Sequence, residues 1–429
     1  MPGESRWCIV YGCAGEGFQV GRWMMRGQGK FSAAVLVVLL LAGAFWAGYG
    51  YGQRRASAAE TQAQGMALLR ELLGAVQRHY IERKVDLDRL IYGAAKGMLE
   101  ALGDPYTRFM EPRAYRIFQE DARGIFNGIG IFIDIRDGHL IVVQPIEGTP
   151  AYRKGLRPGD RILAIDGVST KDMALQEAVM RIRGPAGTAV RLRLEREGRV
   201  FDVEIVRAKI QIDTVQGPEI LDAGVQRELE RERLGYLRIL TFNEATSRDF
   251  EETLQPMVRR GIRGLLLDLR NNGGGLLDSV INVADHLLDG GPVVYVVDRN
   301  GKKEASMARE GALFRGPVVV LVNEFTASAA EILAGALQDR LDAPLVGVQT
   351  FGKGVIQTIV PLPGGAAASI TTARYLTPKG RDIHKKGLPP SVGVGEKIEG
   401  KPDVEVRRIQ AQQLRKALEV LMSRVARGR

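Results

Sequence analysis

One stretch decides how this chain folds: Val318-Val319-Val320-Leu321-Val322, then Asn323-Glu324-Phe325-Thr326-Ala327-Ser328, then a run from Ala329 to Gln338. The opening run is apolar and largely β-branched, which is typical of a buried strand. The last run consists of strong helix formers with apolar side chains on one face. The pattern predicts a strand, a tight turn and a helix. Ser328 then lies at the N-terminal end of the helix, where free N–H groups and the helix dipole favour negative charge.

A second turn, Thr350-Phe351-Gly352-Lys353-Gly354, follows the short apolar run Leu345-Val346-Gly347-Val348. Glycine permits sharp turns and close approach of the backbone. We therefore expect Lys353 to lie close to a neighbouring element. Taken alone, the Gly-Lys-Gly context favours a lysine at a surface turn.

Several motifs of this region together resemble those of the carboxyl-terminal processing protease (tail-specific protease) family. They are Ser328-Ala329-Ala330-Glu331-Ile332, Gly335-Ala336-Leu337, Thr350-Phe351-Gly352-Lys353-Gly354 and Gln357. The similarity extends from about Met66 to about Val394, and the combined spacing is far more specific than one short motif. The resemblance implies a serine endopeptidase of multidomain α/β (α+β) fold. Its parts are a crotonase/ClpP-like protease core, an inserted PDZ domain and an N-terminal helical region.

The resemblance also implies a catalytic set, with Ser328 as nucleophile, Lys353 as its base and Gln357 as the residue that orients the lysine amine. A serine hydroxyl needs a base to remove its proton, and lysine is such a base only when its ammonium form is disfavoured. Burial can lower a lysine pKa from about 10.4 to about 7–8. The neighbouring Phe351 favours an apolar pocket for Lys353. For Gln357, an exposed strand glutamine is the alternative.

An oxyanion hole needs two donors aimed at the developing charge. The backbone N–H of Ala329 follows the nucleophile and is one candidate. The loop Asp268-Leu269-Arg270-Asn271-Asn272-Gly273-Gly274-Gly275 resembles the family's second motif, and the resemblance places Gly274 at the oxyanion hole. The family usually has proline where Gly273 stands, so this loop is expected to be more flexible. A phosphate-binding loop is disfavoured because no P-loop lysine follows.

Residues 124–207 resemble a PDZ domain. Gly128-Ile129-Gly130-Ile131 matches the carboxylate-binding loop, and the segment from Gly155 to Gly167 matches the domain's second signature. Successive N–H groups in a glycine turn form a nest for a terminal carboxylate, and the edge of the next strand can pair with an extended peptide. Gly128, Ile129, Gly130 and Ile131 are therefore the expected peptide-binding residues. The expected partners are protein or peptide substrates with apolar C-termini.

The helix that should flank the peptide groove runs from Ala174 to Arg183. Arg183, at its end, is either a link between peptide binding and the protease or a solvated arginine.

The first part of the chain predicts a membrane anchor. Residues 1–30 are Gly-rich with scattered charge, which favours a disordered tail. Residues 31–52 contain no charged residue and are long enough to span a bilayer. Arg22, Arg26 and Lys30 precede this segment, so the tail should stay in the cytoplasm. A cleaved signal is the alternative, because Ala56-Ser57-Ala58 resembles a cleavage site.

We therefore expect a single-pass protein of the bacterial inner membrane, with its catalytic domain in the periplasm or elsewhere outside the cytoplasm.

Residues 60–112 carry apolar helical stripes and resemble the family's N-terminal helical cap, through which self-association is a hypothesis. Residues 210–394 alternate strands and helices, which predicts the α/β protease core. Residues 395–429 read as a basic helical tail. A solvated helix face is the simpler interpretation of this tail, and contact with anionic lipid or a partner is the alternative.

The composition argues against several other functions. The net charge of +10 is spread along the chain without a basic-aromatic motif, which argues against nucleic-acid binding. Neither a metal nor another cofactor is expected, because the histidines show no paired metal-ligand spacing. The histidines are His79, His139, His286 and His384, and the cysteines are Cys8 and Cys13, both before the apolar segment.

Two rival functions remain open. The first is a scaffold for envelope proteins, in which the PDZ domain binds and the Ser328/Lys353 pair is catalytically idle. The second is an acyl-CoA enzyme of the crotonase-like core, whose glycine turns also form an oxyanion hole. The PDZ insertion and the exported topology argue against the second, because coenzyme A chemistry is expected inside the cell.

Overall fold

The computed structural model describes residues 60–427 except 137 and 212. The predicted tail and membrane segment, residues 1–30 and 31–52, lie outside the described residues, as do both cysteines. Within the described part of the chain, no helix has the length and apolarity needed to cross a membrane. The chain divides into two compact units between Leu90 and Ile91.

The first unit contains helix α1, residues 60–79, and the start of helix α2 (Leu87–Glu100). The apolar stripe predicted for α1 is exposed, with Leu68 and Leu72 at 68% and 58%.

The second unit begins with the segment that resembles a PDZ domain and the elements that flank it. Its helices are α3 (Pro112–Arg123), α4 (Pro150–Arg153) and α5 (Leu175–Ile182). Its strands are β1 (Arg108–Met110), β2 (Ile125–Gly128), β3 (Ile131–Arg136), β4 (His139–Pro145), β5 (Arg161–Ile165), β6 (Val168–Ser169), β7 (Ala189–Arg196), β8 (Arg199–Val206) and β9 (Ala208–Gln211).

Strands β3, β4, β5, β7 and β8 form one antiparallel sheet in that order, with β6 beside β5 and β3 at an edge. Apolar and polar residues alternate along β7, so that Val190, Leu192 and Leu194 point into the core and are fully buried. Helix α5 packs on this sheet through Ala178 and Ile182. The sequence therefore builds a separate small core around these strands.

The rest of the second unit alternates helices and strands. Its helices are α6 (Ala223–Glu232), α7 (Thr246–Arg259), α8 (Leu277–Asp285), α9 (Ala329–Leu341) and α10 (Asp403–Arg427). Its strands are β10 (Val215–Gln216), β11 (Leu234–Ile239), β12 (Gly264–Asp268), β13 (Pro292–Asp298), β14 (Lys303–Met307), β15 (Val318–Val322), β16 (Leu345–Gly347), β17 (Val355–Pro361), β18 (Ala367–Leu376) and β19 (Val392–Gly393).

The central sheet has the order β10-β11-β12-β15-β16-β19 and is parallel from β11 to β19. Every residue of β12 and β15 is buried, because helices cover both faces of a parallel sheet of this kind. Leu265 pairs with Val318 in the register of these two strands. The two strands therefore end at the same edge of the sheet.

A second, antiparallel sheet has the order β1-β18-β13-β14, with β17 also paired to β18. In this sheet β18 pairs with β1, which precedes the PDZ-like segment, and also with β17, which follows it. Arg108 lies opposite Ser369, and Gln357 lies opposite Thr371. Residues from before and after the PDZ-like segment thus meet at one surface.

The C-terminal helix α10 contributes to the core of the second unit. Ala417, Leu418 and Leu421 are buried and cluster with apolar residues of the central sheet. One face of the basic helix is therefore packed rather than solvated, because its apolar residues recur at helical spacing.

Candidate active site

The edge of the central sheet where β12 and β15 end holds two loops that are joined by hydrogen bonds. The hydroxyl of Thr326 donates to the carbonyl of Leu269 at 2.9 Å, and the N–H of Ala327 donates to the carbonyl of Asn272 at 2.9 Å. The side chains of Asn271 and Asn323 are also hydrogen-bonded, at 2.7 Å. The glycine loop and the serine turn are therefore fixed against each other, at the edge where open α/β sheets commonly bind ligands.

Ser328 occupies the turn between β15 and α9, as the sequence predicts. Its backbone has φ 55° and ψ −119°, a conformation that non-glycine residues rarely adopt. Such strain persists only where surrounding contacts enforce it and is frequent at functional sites. Ser328 is half-buried and faces a cleft.

Glu331, on the first turn of α9, supplies the contacts that enforce this turn. Its side chain is completely buried, and it accepts hydrogen bonds from the N–H of Ser328 at 3.0 Å and the hydroxyl of Thr350 at 2.5 Å. It also accepts the N–H groups of Gly352 and Lys353, at 2.8 and 2.9 Å. Burial raises the pKa of this carboxyl, although the four donors oppose the rise. One carboxylate therefore holds both the serine turn and the lysine turn.

The sequence reasoning assigned no role to Glu331. The signal was present, because serine followed three residues later by glutamate at a helix start is the capping-box pattern.

Lys353 is half-buried in the same cleft. Its Nζ lies 5.1 Å from the centroid of the Tyr106 ring. Burial and the positive charge of Arg108 lower the pKa of the Lys353 amine, while the carboxylates of Asp104 and Glu331 oppose that change. The alternative of a solvent-exposed lysine at a surface turn is therefore wrong, because the Lys353 amine is partly buried.

Gln357 lies on β17 and also lines the cleft. Its Nε2 donates to the hydroxyl of Thr371 at 3.2 Å, which leaves its side-chain oxygen as an available acceptor. Gln357 is half-buried rather than an exposed strand residue.

The cleft has a volume of about 450 Å³ and brings Ser328, Lys353 and Gln357 together with Ala329. Within residues 60–427, no hydrogen bond joins the Ser328 hydroxyl to the Lys353 amine. The hydroxyl of Tyr375 instead donates to the carbonyl oxygens of Ser328, at 3.1 Å, and Lys353. The Tyr375 hydroxyl thus links the backbones of Ser328 and Lys353.

The two predicted oxyanion donors lie near each other. A Cβ built on Gly274 would lie 2.7 Å from the Cβ of Ser328 and 2.9 Å from the backbone nitrogen of Ala329, so glycine allows this close approach. Gly274 has φ +101°, which also favours glycine. Its N–H donates to Oδ1 of Asn272 at 2.8 Å. The Gly274 N–H therefore has to leave Asn272 before it can bind an oxyanion.

Asp268, at the end of β12, fixes the start of this loop. Its carboxylate accepts the backbone N–H of Arg270 at 3.0 Å and the hydroxyl of Tyr236 at 3.0 Å. Burial favours a raised pKa for Asp268, but the charge and hydrogen bonds of Arg270 outweigh it and lower the pKa. Arg270 also donates to the carbonyl of Gln410 on α10 at 2.8 Å. The C-terminal helix α10 is thus hydrogen-bonded to the start of the glycine loop through Arg270.

A smaller cavity of about 200 Å³ lies between β3 and α5, where the sequence predicts the peptide groove. Gly128, Ile129, Gly130 and Ile131 line it, together with Val179 and Ile182 from the helix. Among the described residues, the N–H groups of Ile129 and Gly130 make no hydrogen bond. Two free N–H groups beside an open strand edge suit a terminal carboxylate followed by an extended peptide.

Arg183, at the end of α5, contacts both this cavity and the neighbouring helix α3. Its guanidinium lies 4.4 Å from the centroid of the Phe126 ring and donates to Oδ1 of Asp121 at 2.7 Å. Asp121 lines the catalytic cleft. The side chain of Arg183 is only 17% exposed, so the solvated alternative is wrong.

The histidines do not form a triad with Ser328. Among the described residues, no histidine lines the cleft or makes a hydrogen bond to Ser328. Nor does the described part of the chain contain a group of three or more His, Cys, Asp or Glu residues placed to hold a metal.

Comparisons with known proteins agree with this architecture. The family model described as peptidase family S41 matches residues 233–394, a PDZ domain model matches residues 141–196, and a model of the N-terminal domain of the activating protease CtpB matches residues 49–114. The solved structure of a candidate S41 protease from Bacteroides fragilis superposes with a TM-score of 0.51 at 14% identity, over 82% of this chain and 96% of that chain. That likeness shows a shared fold, and the family models identify a peptidase family S41 core and a PDZ domain within this chain.

Curated relatives show a higher sequence identity. The carboxyl-terminal-processing protease of Synechocystis sp. is 39% identical over 319 residues, which cover 73% of each chain. The carboxy-terminal processing protease CtpA of Bacillus subtilis is 38% identical over 312 residues, or 72% of this chain. The present chain spans 65% of the length of that relative. On this identity and coverage, the chain belongs to the carboxyl-terminal processing protease family, within peptidase family S41.

Proposed function

We propose that this protein is a serine endopeptidase that captures substrate C-termini in its PDZ domain and cleaves them through a Ser328/Lys353 acyl-enzyme mechanism. One observation carries the proposal. A strained Ser328 at a helix N-terminus and a half-buried Lys353 of lowered pKa face one cleft and share the Glu331 carboxylate.

The first chemical step is the attack of the Ser328 hydroxyl on a substrate carbonyl carbon. Lys353 accepts the hydroxyl proton, a C–O bond forms, and the carbonyl oxygen becomes an oxyanion held by the N–H groups of Ala329 and Gly274. Collapse of this intermediate breaks the peptide C–N bond, and the protonated Lys353 gives its proton to the leaving amine. Water then hydrolyses the acyl-enzyme by the same proton route.

The structure without substrate requires two adjustments for this chemistry. The Lys353 amine has to come within hydrogen-bond reach of Ser328, and the Gly274 N–H has to leave Asn272. Catalytic hydrogen bonds often tighten only when substrate is bound. We assign to the side-chain oxygen of Gln357 the role of orienting the amine as it moves, and the hydrogen bond from its Nε2 to Thr371 supports this role.

We propose that the cavity between β3 and α5 selects substrates by binding their C-termini. The free N–H groups of Ile129 and Gly130 suit a C-terminal carboxylate, and the apolar side chains of Ile131, Val179 and Ile182 suit an apolar terminal residue. The expected substrates are therefore proteins or peptides with apolar C-termini.

Peptides that share one sequence but carry a free carboxylate, an amide or an acidic last residue test this function, with mass spectrometry of the products. The wild-type protein should cleave the free apolar terminus fastest, and Ser328→Ala and Lys353→Ala should abolish cleavage. Equal rates for the free and amidated peptides would remove the PDZ domain from substrate selection. No cleavage by the wild-type chain, with peptide binding intact, would favour the idle scaffold.

We further propose that residues 31–52 anchor the protein in a bacterial inner membrane, with the protease outside the cytoplasm. Their uncharged apolar length and the basic residues before them support this topology. Fractionation of cells with the full chain and with a chain that lacks residues 1–52 tests it. A full chain that stays in the soluble fraction would contradict the anchor.

Self-association through the N-terminal helices is a separate proposal, supported by the exposed apolar residues of α1. Sedimentation of the wild type and of a Leu68→Glu, Leu72→Glu variant tests it. Identical masses for the two would reject that surface.

A further inference from the structure

Arg108 brings an unneutralised positive charge into the catalytic cleft. It is the first residue of β1, which pairs antiparallel with β18, and its side chain is exposed to the cleft that Lys353 also lines. Among the described residues, Arg108 makes neither an ion pair nor a side-chain hydrogen bond. Strand pairing therefore fixes its backbone, and no carboxylate of the described residues lies within ion-pair distance of its guanidinium.

The groups that face Lys353 would, without Arg108, favour the ammonium form. Asp104 and Glu331 are carboxylates, and the face of the Tyr106 ring also attracts a cation. Tyr375 lies between the serine and lysine backbones but carries no charge. Only burial and Arg108 oppose protonation of the amine.

Asp104, which favours the ammonium form of Lys353, is held by two hydrogen bonds. It accepts the hydroxyl of Thr107 at 2.7 Å and the N–H of Tyr106 at 3.1 Å. His384, whose ring lies 6.4 Å from the Tyr106 ring, interacts electrostatically with Asp104 rather than with the lysine. Burial and the charge of Arg108 therefore act together against protonation of the amine.

We propose that Arg108 is a positioning residue for proton transfer, whose charge adds to burial in disfavouring the ammonium form of Lys353 and so helps the amine to accept the proton of Ser328. The inference rests on the proposed Ser328/Lys353 mechanism and adds to it a charged group that favours the unprotonated lysine. It assigns a role in the active site to the segment that precedes the PDZ domain.

The test is the pH profile of kcat/KM for cleavage of a peptide with a free apolar C-terminus. The acid limb reports the free-enzyme pKa of the base. Arg108→Gln should move that limb to higher pH by roughly 0.5–1 unit, as expected for the loss of one nearby charge. Turnover below the midpoint should then fall roughly threefold to tenfold, one pH unit being tenfold in the unprotonated fraction.

Three further variants separate a charge effect from a structural one. Arg108→Lys retains the charge and should keep the wild-type midpoint, whereas Arg108→Met should match Arg108→Gln. Arg116→Gln removes an exposed arginine of α3 that does not line the cleft, and it should leave the profile unchanged. Thermal unfolding of each variant shows whether it is folded.

An unchanged midpoint in both Arg108→Gln and Arg108→Met, with wild-type cleavage intact, would overturn the inference and leave the proposed function standing. So would a higher KM at every pH with the same midpoint, because Arg108 would then bind substrate. Failure of the proposed function would give a different result: Ser328→Ala would still cleave the peptide as the wild type does.

Discussion

The Glu331 carboxylate accepts a hydrogen bond from the backbone N–H of Lys353 at 2.9 Å, across a separation of 22 residues. The same carboxylate accepts the N–H of Ser328. Removal of a buried carboxylate with this many donors lowers the stability of the fold. Each buried donor then loses its hydrogen bond and cannot replace it with one to water. The Glu331 side chain thus joins the turn that carries Ser328 to the turn that carries Lys353.

Glu331→Gln should reduce both activity and stability. An amide offers one oxygen instead of two and points N–H groups at donors, so at least one backbone N–H loses its partner. We expect a loss of about 1–3 kcal/mol in the free energy of unfolding and roughly a hundredfold loss in kcat for misplacement of the reactive groups. Denaturant unfolding and peptide cleavage measure the two effects.

Glu251→Gln, at an exposed position of α7, is the matched control and should change neither quantity. A Glu331→Gln protein with wild-type kcat would show that the carboxylate does not set the geometry of the pair.

Gly274→Ala should abolish activity while its neighbour tolerates the same change. An alanine Cβ at position 274 would lie 2.7 Å from the Cβ of Ser328 and 2.8 Å from the carbonyl oxygen of Ala327, with the backbone at φ +101°. Crowding of the serine turn displaces the oxyanion donors, and loss of one such donor costs roughly 10²–10³ in kcat. Steady-state cleavage of a tailed peptide measures this loss.

Gly273→Ala is the control, because a Cβ there meets no atom within 4 Å and its φ is not positive. It should retain activity within about twofold, as do most surface substitutions away from special backbone positions. Equal losses in both variants would mean that loop flexibility, rather than the close approach at Gly274, is what activity requires.

The sequence was most informative where local pattern and tertiary structure agree. The continuous apolar run at Val318–Val322 and the helix formers after Ser328 specify a buried strand and a helix without help from distant residues. The contact between Arg108 and the lysine cleft could not be predicted, because it depends on strand β1 crossing to β18 after more than two hundred intervening residues. The packing of α10 was missed because its basic face dominates the composition, whereas Leu418 and Leu421 decide its position.

Arg183→Ala should lower the turnover of a peptide whose C-terminus is bound in the PDZ-like cavity. Arg183 contacts the Phe126 ring beside the peptide cavity and pairs with Asp121, which lines the catalytic cleft. Coupling between two sites is typically worth 5–150-fold, so we expect turnover of a tailed peptide to fall roughly tenfold. Binding of the same peptide to the protein, measured by fluorescence anisotropy, should weaken much less.

Arg181→Ala removes a neighbouring arginine that pairs within α5, with Glu177 at 2.8 Å, and should leave turnover within about twofold of wild type. Parallel losses of binding and turnover in Arg183→Ala would place this residue in the peptide site alone.

Lys353→Met should produce an inactive protein that is more stable than wild type at neutral pH. Burial and Arg108 lower the pKa of Lys353 in the folded state below its unfolded value of about 10.4. Between these two pKa values the unfolded chain binds more protons than the folded chain, so wild-type stability rises with pH through that window. Below the folded-state pKa the destabilisation is fully present, and above about pH 10.4 it disappears.

The stability difference between Lys353→Met and wild type should therefore be larger at pH 7 than at pH 10. Urea midpoints at pH 7 and pH 10 measure it, with Lys171→Met, which replaces an exposed lysine, as the matched control. A methionine variant that is less stable than wild type at both pH values would mean that the lysine is held as a stabilised ammonium. Removal of the proton from Ser328 would then need a different base.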